Sequence, residues 1–245
     1  MSPSALDTPE LRETEASRLA KKIWARYELN PEMARIMIGI AGIPGSGKST
    51  LAAQVTAGVN AIYTERKAGQ FDAGNAFAVD LPMDGFHLSR AQLAAMPNAA
   101  EAIHRRGAAF TFDGEGFLQL VQRLREPLDA GSSIVYAPGF DHAVKDPVAD
   151  EIPILPTSRV LIFEGNYLAL DREPWRSAAG LMDELWFIDV DREVARERLV
   201  KRHVLTGVTA DEASARHRIA STDFLNADDI MENRLPVQEI VRGDS

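Results

Sequence analysis

A glycine-rich segment at residues 42–50 carries the residue types that bind a phosphate chain. It reads Gly-Ile-Pro-Gly-Ser-Gly-Lys-Ser-Thr and fits the spacing G-x-x-x-x-G-K-[ST] without a mismatch. Glycines let the backbone turn so that its N–H groups point at a phosphate, and the start of a helix adds a partial positive charge. Lys48 would reach the β- and γ-phosphates, and Ser49 would complete the ligand shell of a Mg²⁺ ion. The segment therefore predicts a nucleoside triphosphate site made of Gly42, Pro44, Gly45, Ser46, Gly47, Lys48, Ser49 and Thr50.

The residues on either side of this segment have the patterns of a strand and a helix. Ile36–Ala41 is a short apolar run, and Thr50–Val55 is typical of the first turns of a helix. A phosphate-binding loop of this type connects a strand to a helix. This context favours the phosphate-binding interpretation over a glycine-rich turn with an incidental lysine.

An acidic residue follows the second apolar run, 76–81. Asp84 comes just after this run, so a parallel sheet would place it at the same edge as Lys48. Phosphoryl transfer to a hydroxyl needs a carboxylate that orients the hydroxyl and accepts its proton. Asp84 is the candidate for this catalytic role, but Asp84-Gly85 is equally typical of a simple turn. Asp80 is the weaker candidate because it lies inside the predicted strand.

A further apolar run, Val160–Phe163, ends in a carboxylate, Glu164. This is the pattern of a Walker B element, whose acid binds Mg²⁺ through water or polarises the attacking group. A strand can also end in an acid and a glycine for structural reasons alone, and the phosphate loop upstream favours the functional interpretation. Ser49 and Glu164 are the predicted metal-binding residues.

Five basic residues are concentrated at positions 192–202, and two of them, Arg198 and Arg202, share a helix face at i,i+4 spacing. A mobile lid over residues 191–220 would use such arginines to neutralise the transferring phosphoryl group and to exclude water. The alternative is a solvated helix with internal Glu–Arg pairs, because Glu193 and Glu197 are interleaved. We expect that interpretation for most of these arginines and a catalytic role for Arg198 or Arg202.

Two predicted loops, 105–113 and 136–142, mix polar and aromatic residues and are candidates for contacts with an acceptor molecule. Asp113 is better explained as the N-cap of the next helix. His142 could equally be a surface residue. The candidate acceptor-binding residues are Asp84, His87, Arg105, Arg106, Tyr136, Phe140, Asp141 and Asn166.

Strand-like and helix-like patterns alternate along the chain. Strands are predicted at 36–41, 76–81, 133–136, 160–163 and 185–190, and helices at 8–29, 114–124 and 192–204. This alternation predicts an α/β fold with a parallel sheet covered on both faces. Residues 138–157 are predicted to lie outside that sheet, and residues 1–245 are expected to form one domain.

Composition narrows the functional classes. A net charge of −9 argues against a broad surface for nucleic acid or anionic membranes. The chain has no cysteine, which excludes disulfides and thiolate metal sites, and it has no apolar run of about twenty residues. The first residues lack the pattern of a signal peptide, so a cytoplasmic location is expected. The amphipathic helix at 8–29 is expected to pack on the domain, with a homodimer interface as the alternative.

Together these segments resemble the phosphoribulokinase/uridine kinase family over residues 35–230, nearest to the bacterial subgroup labelled nucleoside/nucleotide kinase-like or fructose transport system kinase-like. The resemblance rests on the phosphate loop, Met83–His87, Arg106-Gly107 with Thr111–Asp113, Tyr136–Pro138, Phe140-Asp141 and Val160–Tyr167.

The resemblance implies a P-loop kinase of three-layer α/β/α type with a helical lid. It implies ATP-dependent phosphorylation of a hydroxyl on a sugar, a pantothenate-like compound or a nucleoside. Asp84 takes the position of the family's base and Glu164 that of the acid after the Walker B strand. Asp84-Gly85-Phe86-His87 departs from the Asp-Ser-Phe-Tyr of uridine kinases and is more similar to type I pantothenate kinases. A nucleotide-binding regulatory NTPase without a small acceptor is the alternative function.

Overall fold

A five-stranded parallel sheet is the centre of the computed structural model, which describes residues 13–29, 35–66, 76–141 and 143–243. Two further strands form a separate antiparallel pair. In chain order the strands are β1 Ile36–Gly42, β2 Ala78–Pro82, β3 Val135–Asp141, β4 Asp146–Ile154, β5 Val160–Gly165, β6 Glu184–Asp189 and β7 Glu239–Arg242. The central sheet has the order β2-β5-β1-β6-β7, and every neighbouring pair in it is parallel.

Helices connect and cover these strands. They are α1 Glu15–Leu29, α2 Lys48–Arg66, α3 Arg90–Ala94, α4 Ala99–His104, α5 Gly114–Arg125, α6 Trp175–Ala179, α7 Arg192–Leu205, α8 Glu212–Arg218 and α9 Phe224–Glu232. Short 3₁₀ helices span Met83–Phe86 and Ala109–Thr111, and a π-helix spans Ile219–Asp223. Asp113 is the N-cap of α5, as predicted, because its carboxylate accepts a hydrogen bond from the Gly116 N–H at 2.9 Å.

Both faces of the central sheet are buried, which explains why its strands have continuous apolar runs. Ile36, Ile38 and Ile40 face one hydrophobic core, while Met37 and Ala41 face the other. Successive side chains of a strand point to opposite faces, so a strand covered on both sides needs apolar residues throughout. The three-layer α/β/α fold with a parallel sheet is confirmed.

The strand predicted at 133–136 does not join the parallel sheet, and in this respect the prediction was wrong. It begins at Val135 and pairs with β4 in an antiparallel hairpin, with a register shift between Ala137 and Gly139. The partner strand is adjacent in sequence, so this pairing requires only a short turn. Most of 138–157 falls in the hairpin, outside the central sheet as predicted. β7 was missed because only Val241 of its four residues is buried.

The described part of the predicted N-terminal helix is α1, and positions 8–12 of that prediction lie outside the described residues. Leu19, Ile23 and Trp24 are buried in the core on the α2 side of the sheet. The apolar stripe is therefore used within the chain and gives no reason to expect a dimer through it. None of the described helices is long and apolar enough to cross a membrane.

Candidate active site

The phosphate-loop segment lies between β1 and α2, at the carboxyl edge of the sheet. Two of its glycines, Gly45 and Gly47, have φ angles of +81° and +99°, a conformation that other residues rarely adopt. At Gly45 a Cβ atom would also lie 2.6 Å from the Ala195 carbonyl oxygen. The backbone thus has the turn that the motif predicts, and α2 begins at Lys48, two residues earlier than expected from the sequence.

Lys48 is buried at the base of this loop, with 8 % of its surface exposed. Its Nζ donates a hydrogen bond to the Ile43 carbonyl oxygen at 3.0 Å. Burial lowers the pKa of Lys48 to about 8; the carboxylates of Glu164 and Asp84 oppose this shift, and the charge of Arg202 adds to it. An added negative charge would therefore stabilise the ammonium form of Lys48.

Ser49, in the first turn of α2, contacts Glu164, near the end of β5. The Ser49 hydroxyl donates to the Glu164 carboxylate at 3.0 Å, and Glu164 pairs with Ile40 in the register of β5 with β1. Burial raises the pKa of Glu164; the charge of Lys48 and the Ser49 hydrogen bond oppose the shift, and nearby acids add to it. These two oxygen-bearing side chains could hold a hard cation together with a phosphate.

Asp84 lies on the 3₁₀ turn that follows β2 and lines the same cavity as Lys48, Ser49 and Glu164. We call this space, of about 180 Å³, the phosphate-loop cavity. The Asp84 side chain is 51 % exposed, so it is accessible to a molecule in the cavity. The sequence predicted that Asp84 and Lys48 lie at the same edge of the sheet. In the structure both residues line the phosphate-loop cavity.

His87 is held against this turn by its ring. The ring Nδ1 lies 2.8 Å from the Asp84 carbonyl oxygen, which can only accept, so Nδ1 carries the proton of this hydrogen bond. The ring also packs on Phe112, with centroids 4.0 Å apart, and on Phe140, at 5.0 Å. His87 and Asn166 line the phosphate-loop cavity. Phe140 does not line it, but its ring packs against His87.

Arg106 also lines the cavity, but hydrogen bonds to the hairpin occupy much of its guanidinium group. It donates to the Leu88 carbonyl oxygen at 3.0 Å and to the Asp146 carboxylate at 2.8 Å, and it lies over the Phe140 ring. Arg106 therefore ties the β3–β4 hairpin to the cavity wall.

Besides Phe140, three of the proposed acceptor-binding residues do not line the phosphate-loop cavity. Tyr136 is 46 % exposed on β3 and lines no described cavity. The Asp141 carboxylate accepts hydrogen bonds from the Ala143 and Val144 N–H groups and stabilises the hairpin turn. Arg105 lines a different, neighbouring cavity. His142 lies outside the described residues.

The arginines of α7 divide into two groups. Arg198 lies over the phosphate loop, with Nη1 3.4 Å from the Ser46 carbonyl oxygen, and Arg202 lines the phosphate-loop cavity. Arg192 and Arg196 instead form ion pairs with Asp228 and Glu193, partly exposed to solvent. Arg192 and Arg196 thus fit the ion-paired interpretation, and the catalytic lid role of Arg198 or Arg202 stays a prediction.

Asp223 and Asn226 line the cavity, and sequence reasoning missed both. The Asp223 carboxylate lies 2.9 Å from His203 Nε2, which links the π-helix to α7. Asn226 is only 4 % exposed and accepts a hydrogen bond from Arg105 at 2.9 Å. The available signal was a set of polar residues within a helical pattern, but nothing in their spacing connects them to a phosphate loop.

The residues present fit the binding of ATP and Mg²⁺. The Ser46 hydroxyl is buried without a hydrogen-bond partner among the described residues, at the centre of the turned loop. No group of three or more His, Asp or Glu residues with metal-ligating geometry occurs in the described part of the chain. A Mg²⁺ ion in kinases usually takes one or two protein oxygens, phosphate oxygens and waters, so this sparse set is sufficient.

Comparison with known proteins gives the family. The model of the phosphoribulokinase/uridine kinase family matches residues 37–224. The ATP-dependent kinase-like protein notR' of Aspergillus versicolor is 70 % identical over 161 residues, which are 66 % of this chain and 94 % of that protein. A "putative uridine kinase" of Schizosaccharomyces pombe is 40 % identical over 206 residues, 84 % of this chain and 82 % of that protein.

A solved structure agrees with this result. The crystal structure of a "putative fructose transport system kinase" from Silicibacter sp. TM1040 superimposes with a TM-score of 0.76 at 31 % identity, covering 93 % of this chain and 99 % of that chain. The family match spans more than half of the chain and includes the loop, Asp84 and Glu164. The chain belongs to the phosphoribulokinase/uridine kinase family of P-loop kinases.

Proposed function

We propose that this protein transfers the γ-phosphoryl group of ATP to a hydroxyl group of a small metabolite. Family membership supports a kinase, and the observation that carries the finer proposal is the shared cavity of Lys48, Asp84 and the Ser49–Glu164 pair. A buried cation for the phosphates, an accessible carboxylate for a hydroxyl and a pair of metal-binding oxygens are the three parts that this reaction needs.

Asp84 acts as the base in this proposal. Its half-exposed carboxylate orients the acceptor hydroxyl and accepts the hydroxyl proton as the oxygen attacks the γ-phosphorus. A new bond forms between the acceptor oxygen and the phosphorus, the bond to the bridging oxygen of the β-phosphate breaks, and ADP leaves with that electron pair. His87 supports this role because its ring holds the turn that carries Asp84.

Positive charges of the chain stabilise the transferring group. Lys48 lies at the base of the loop, while Arg198 and Arg202 approach it from α7. Mg²⁺, when held by Ser49 and Glu164, neutralises phosphate charge and orients the phosphates. Because little covalent chemistry falls to the protein, positioning and charge stabilisation supply most of the acceleration.

The acceptor belongs to the group of sugars, pantothenate-like compounds and nucleosides. The site offers polar contacts from His87 and Asn166 beside Asp84. The residues Asp84-Gly85-Phe86-His87 make a nucleoside the weakest of the three, since uridine kinases have Asp-Ser-Phe-Tyr in this position.

The Asp84→Asn variant tests this proposal. Incubation with Mg²⁺, γ-labelled ATP and a panel of sugars, polyols, pantothenate and nucleosides should yield a labelled product with the unmodified protein. The amide of the introduced asparagine cannot accept the proton, so kcat should fall about 10²–10⁴-fold while nucleotide affinity is retained.

The matched control is Asp150→Asn, which changes an exposed carboxylate on β4 that lines neither cavity. Its kcat should equal that of the unmodified protein. An unchanged kcat in Asp84→Asn would exclude Asp84 as the base. ATP hydrolysis without a phosphorylated acceptor across a broad panel would instead support a regulatory NTPase.

A further inference from the structure

A buried histidine and a carboxylate join the arginine-bearing helix α7 to the π-helix. His203, in the last turn of α7, is 6 % exposed, and its Nε2 lies 2.9 Å from the Asp223 carboxylate. An ionised carboxylate can only accept a hydrogen bond, so Nε2 carries the proton. The proposed reaction assigns no role to this pair.

The π-helix provides a firm point of attachment at the wall of the phosphate-loop cavity. Asp223 is its last residue and lines the cavity, whereas His203 does not. Ile219 and Thr222 of the same turn are buried, so the turn is packed into the protein. A π-helix adds a residue to a helical turn and rotates the faces that follow by about 100°. Such turns are frequent at functional sites, and this one ends at a residue of the cavity wall.

Arg202, the residue before His203, is the cation that this attachment places. It lines the phosphate-loop cavity, and its charge adds to burial in lowering the pKa of Lys48. Within the described part of the chain, the hydrogen bonds of Arg202 involve only its backbone, and its guanidinium forms no ion pair there. The place of this guanidinium therefore depends on the position of the last turn of α7.

The hydrogen bond to His203 also engages a carboxylate that could otherwise neutralise Arg202. Asp223 and Arg202 line the same cavity, but the described residues show no ion pair between them. A partly buried carboxylate that lost its partner would be attracted to the nearest cation. The pair thus leaves the charge of Arg202 available to a phosphate.

Other contacts fix the end of α7 less well. Two further ion pairs link α7 to the helices that follow, Arg192 with Asp228 and Glu197 with Arg216, and all four side chains are about half exposed. Exposed ion pairs hold a geometry weakly. Burial of apolar side chains such as Leu199 stabilises the helix but is not directional. Of these three polar links, only the histidine pair is buried.

We propose, on the basis of the proposed kinase function, that His203 and Asp223 are positioning residues that hold Arg202 at the transferring phosphoryl group. His203 touches neither nucleotide nor acceptor in this role. It ties the last turn of α7 to the π-helix, and Arg202 on that turn stabilises the charge of the phosphoryl oxygens.

A double-variant cycle tests this proposal on the full-length protein with Mg²⁺ and γ-labelled ATP. The assays are release of labelled phosphate to water and transfer to any acceptor found in the panel. His203→Phe keeps a ring but removes the N–H donor, so kcat should fall about 10–100-fold as Arg202 is misplaced, with KM for ATP unchanged. Arg202→Gln should lower kcat at least as much.

The combination of the two changes gives the decisive result. Adding His203→Phe to Arg202→Gln should lower kcat by no more than about 2-fold, because the arginine through which His203 acts is already absent. A histidine with only a structural role would reduce the amount of active protein in either background. Losses that multiply in the double variant, or a raised KM with unchanged kcat in His203→Phe, would overturn the proposal.

Two single variants provide the rescue and the control. His203→Gln carries an amide N–H near the position of Nε2, so its kcat should stay within about 3-fold of the unmodified protein. His217→Phe makes the same chemical change as His203→Phe at an exposed position of α8 that lines neither cavity, and it should leave kcat unchanged. A His203→Gln protein as slow as His203→Phe would contradict the hydrogen bond as the cause.

The two assays distinguish failure of this proposal from failure of the kinase function. If no acceptor is phosphorylated but the cycle is non-additive for ATP hydrolysis, transfer to a metabolite fails and the positioning role stands. If an acceptor is phosphorylated and the losses multiply, the kinase function stands and the positioning role fails.

Discussion

At the scale of single residues, the site depends on charges that the protein keeps away from water. Lys48 is buried beside the equally buried Glu164. Burial lowers the pKa of Lys48 and raises that of Glu164, so it favours the neutral form of each. Each group keeps some of its charge through the other. Added phosphate or metal charge would favour the ionised forms, so ligand binding should be linked to proton binding.

Binding of ATP should therefore take up protons through Lys48. Its pKa is lowered to about 8, so at pH 8 about half of the molecules lack this proton until the phosphates restore it. Calorimetry of ATP binding in buffers of different ionisation enthalpy measures this uptake, with EDTA present to exclude Mg²⁺. The unmodified protein should take up about half a proton more than Lys48→Arg, whose guanidinium stays charged. The difference should vanish at pH 6, where Lys48 is already protonated. An equal difference at both pH values would contradict the assignment.

The Glu164→Gln variant should weaken the metal requirement of the reaction. The amide keeps the shape of the side chain but loses the negative charge that attracts a cation, so the Mg²⁺ concentration for half-maximal rate should rise about 10–100-fold. Titration of the initial rate with Mg²⁺ measures this change. The exposed Glu126, at the end of α5, provides a control as Glu126→Gln, which should leave the titration unchanged. An unaltered titration in Glu164→Gln would exclude Glu164 from the metal site.

At the scale of elements, the hairpin and the catalytic turn are packed too closely for a side chain between them. A Cβ atom at Gly85 would lie 2.1 Å from the Pro138 carbonyl oxygen, well inside contact distance. Uridine kinases have serine in this position of the motif. A serine here would collide with the hairpin, and this close approach explains the glycine of this chain. The turn that carries Asp84 is thus positioned by β3.

The Gly85→Ser variant should separate the hairpin from the turn. Overpacking of this kind typically costs 1–3 kcal/mol, so the free energy of unfolding should fall by about that amount. Because Asp84 moves with the turn, kcat should fall as well. Denaturant unfolding and steady-state rates measure both effects. Gly131→Ala is the control: its Cβ would meet only Asp129 at 3.5 Å, and its effect should stay within about 0.5 kcal/mol. Equal stability of the two variants would contradict the close packing.

At the scale of the whole molecule, the sheet separates a catalytic side from a supporting side. The acidic turn, the hairpin and Trp175 belong with the core on one face, while α1 and part of α2 cover the other. Trp24 of α1 contacts Tyr63 and Phe77 on the supporting side. Lys22 of the same helix forms ion pairs with Glu184 and Glu239.

Trp24→Ala should destabilise the protein without changing its substrate affinities. Removal of a buried tryptophan typically costs about 3–5 kcal/mol through lost burial and the cavity left behind. Lys22→Ala removes partly exposed ion pairs and should cost about 1 kcal/mol or less. KM for ATP should be unchanged in both variants, because neither residue lines a site cavity. Thermal unfolding and ATP kinetics measure these quantities. A shift in KM would show that α1 is coupled to the site.

The parts of this protein that the sequence predicted well are those encoded by contiguous residues. The turn at residues 42–50 follows from the positions of its glycines, and β1 and β5 follow from apolar runs that a sheet covered on both faces requires. The shared edge of Lys48, Asp84 and Glu164 follows from one topological rule, that parallel strands end at the same side.

Only the tertiary structure decided which other residues join the site. Asp223 and Asn226 come from a π-helix and α9, more than 170 residues after the phosphate loop, and their local pattern is that of an ordinary helix. Tyr136 and Asp141 have residue types suited to binding, but the antiparallel pairing of β3 directs them to the outside and to the hairpin turn. Local sequence encodes turns, periodicity and strand ends because these depend on neighbouring residues. Cavity walls depend on the packing of distant segments, which no local pattern specifies.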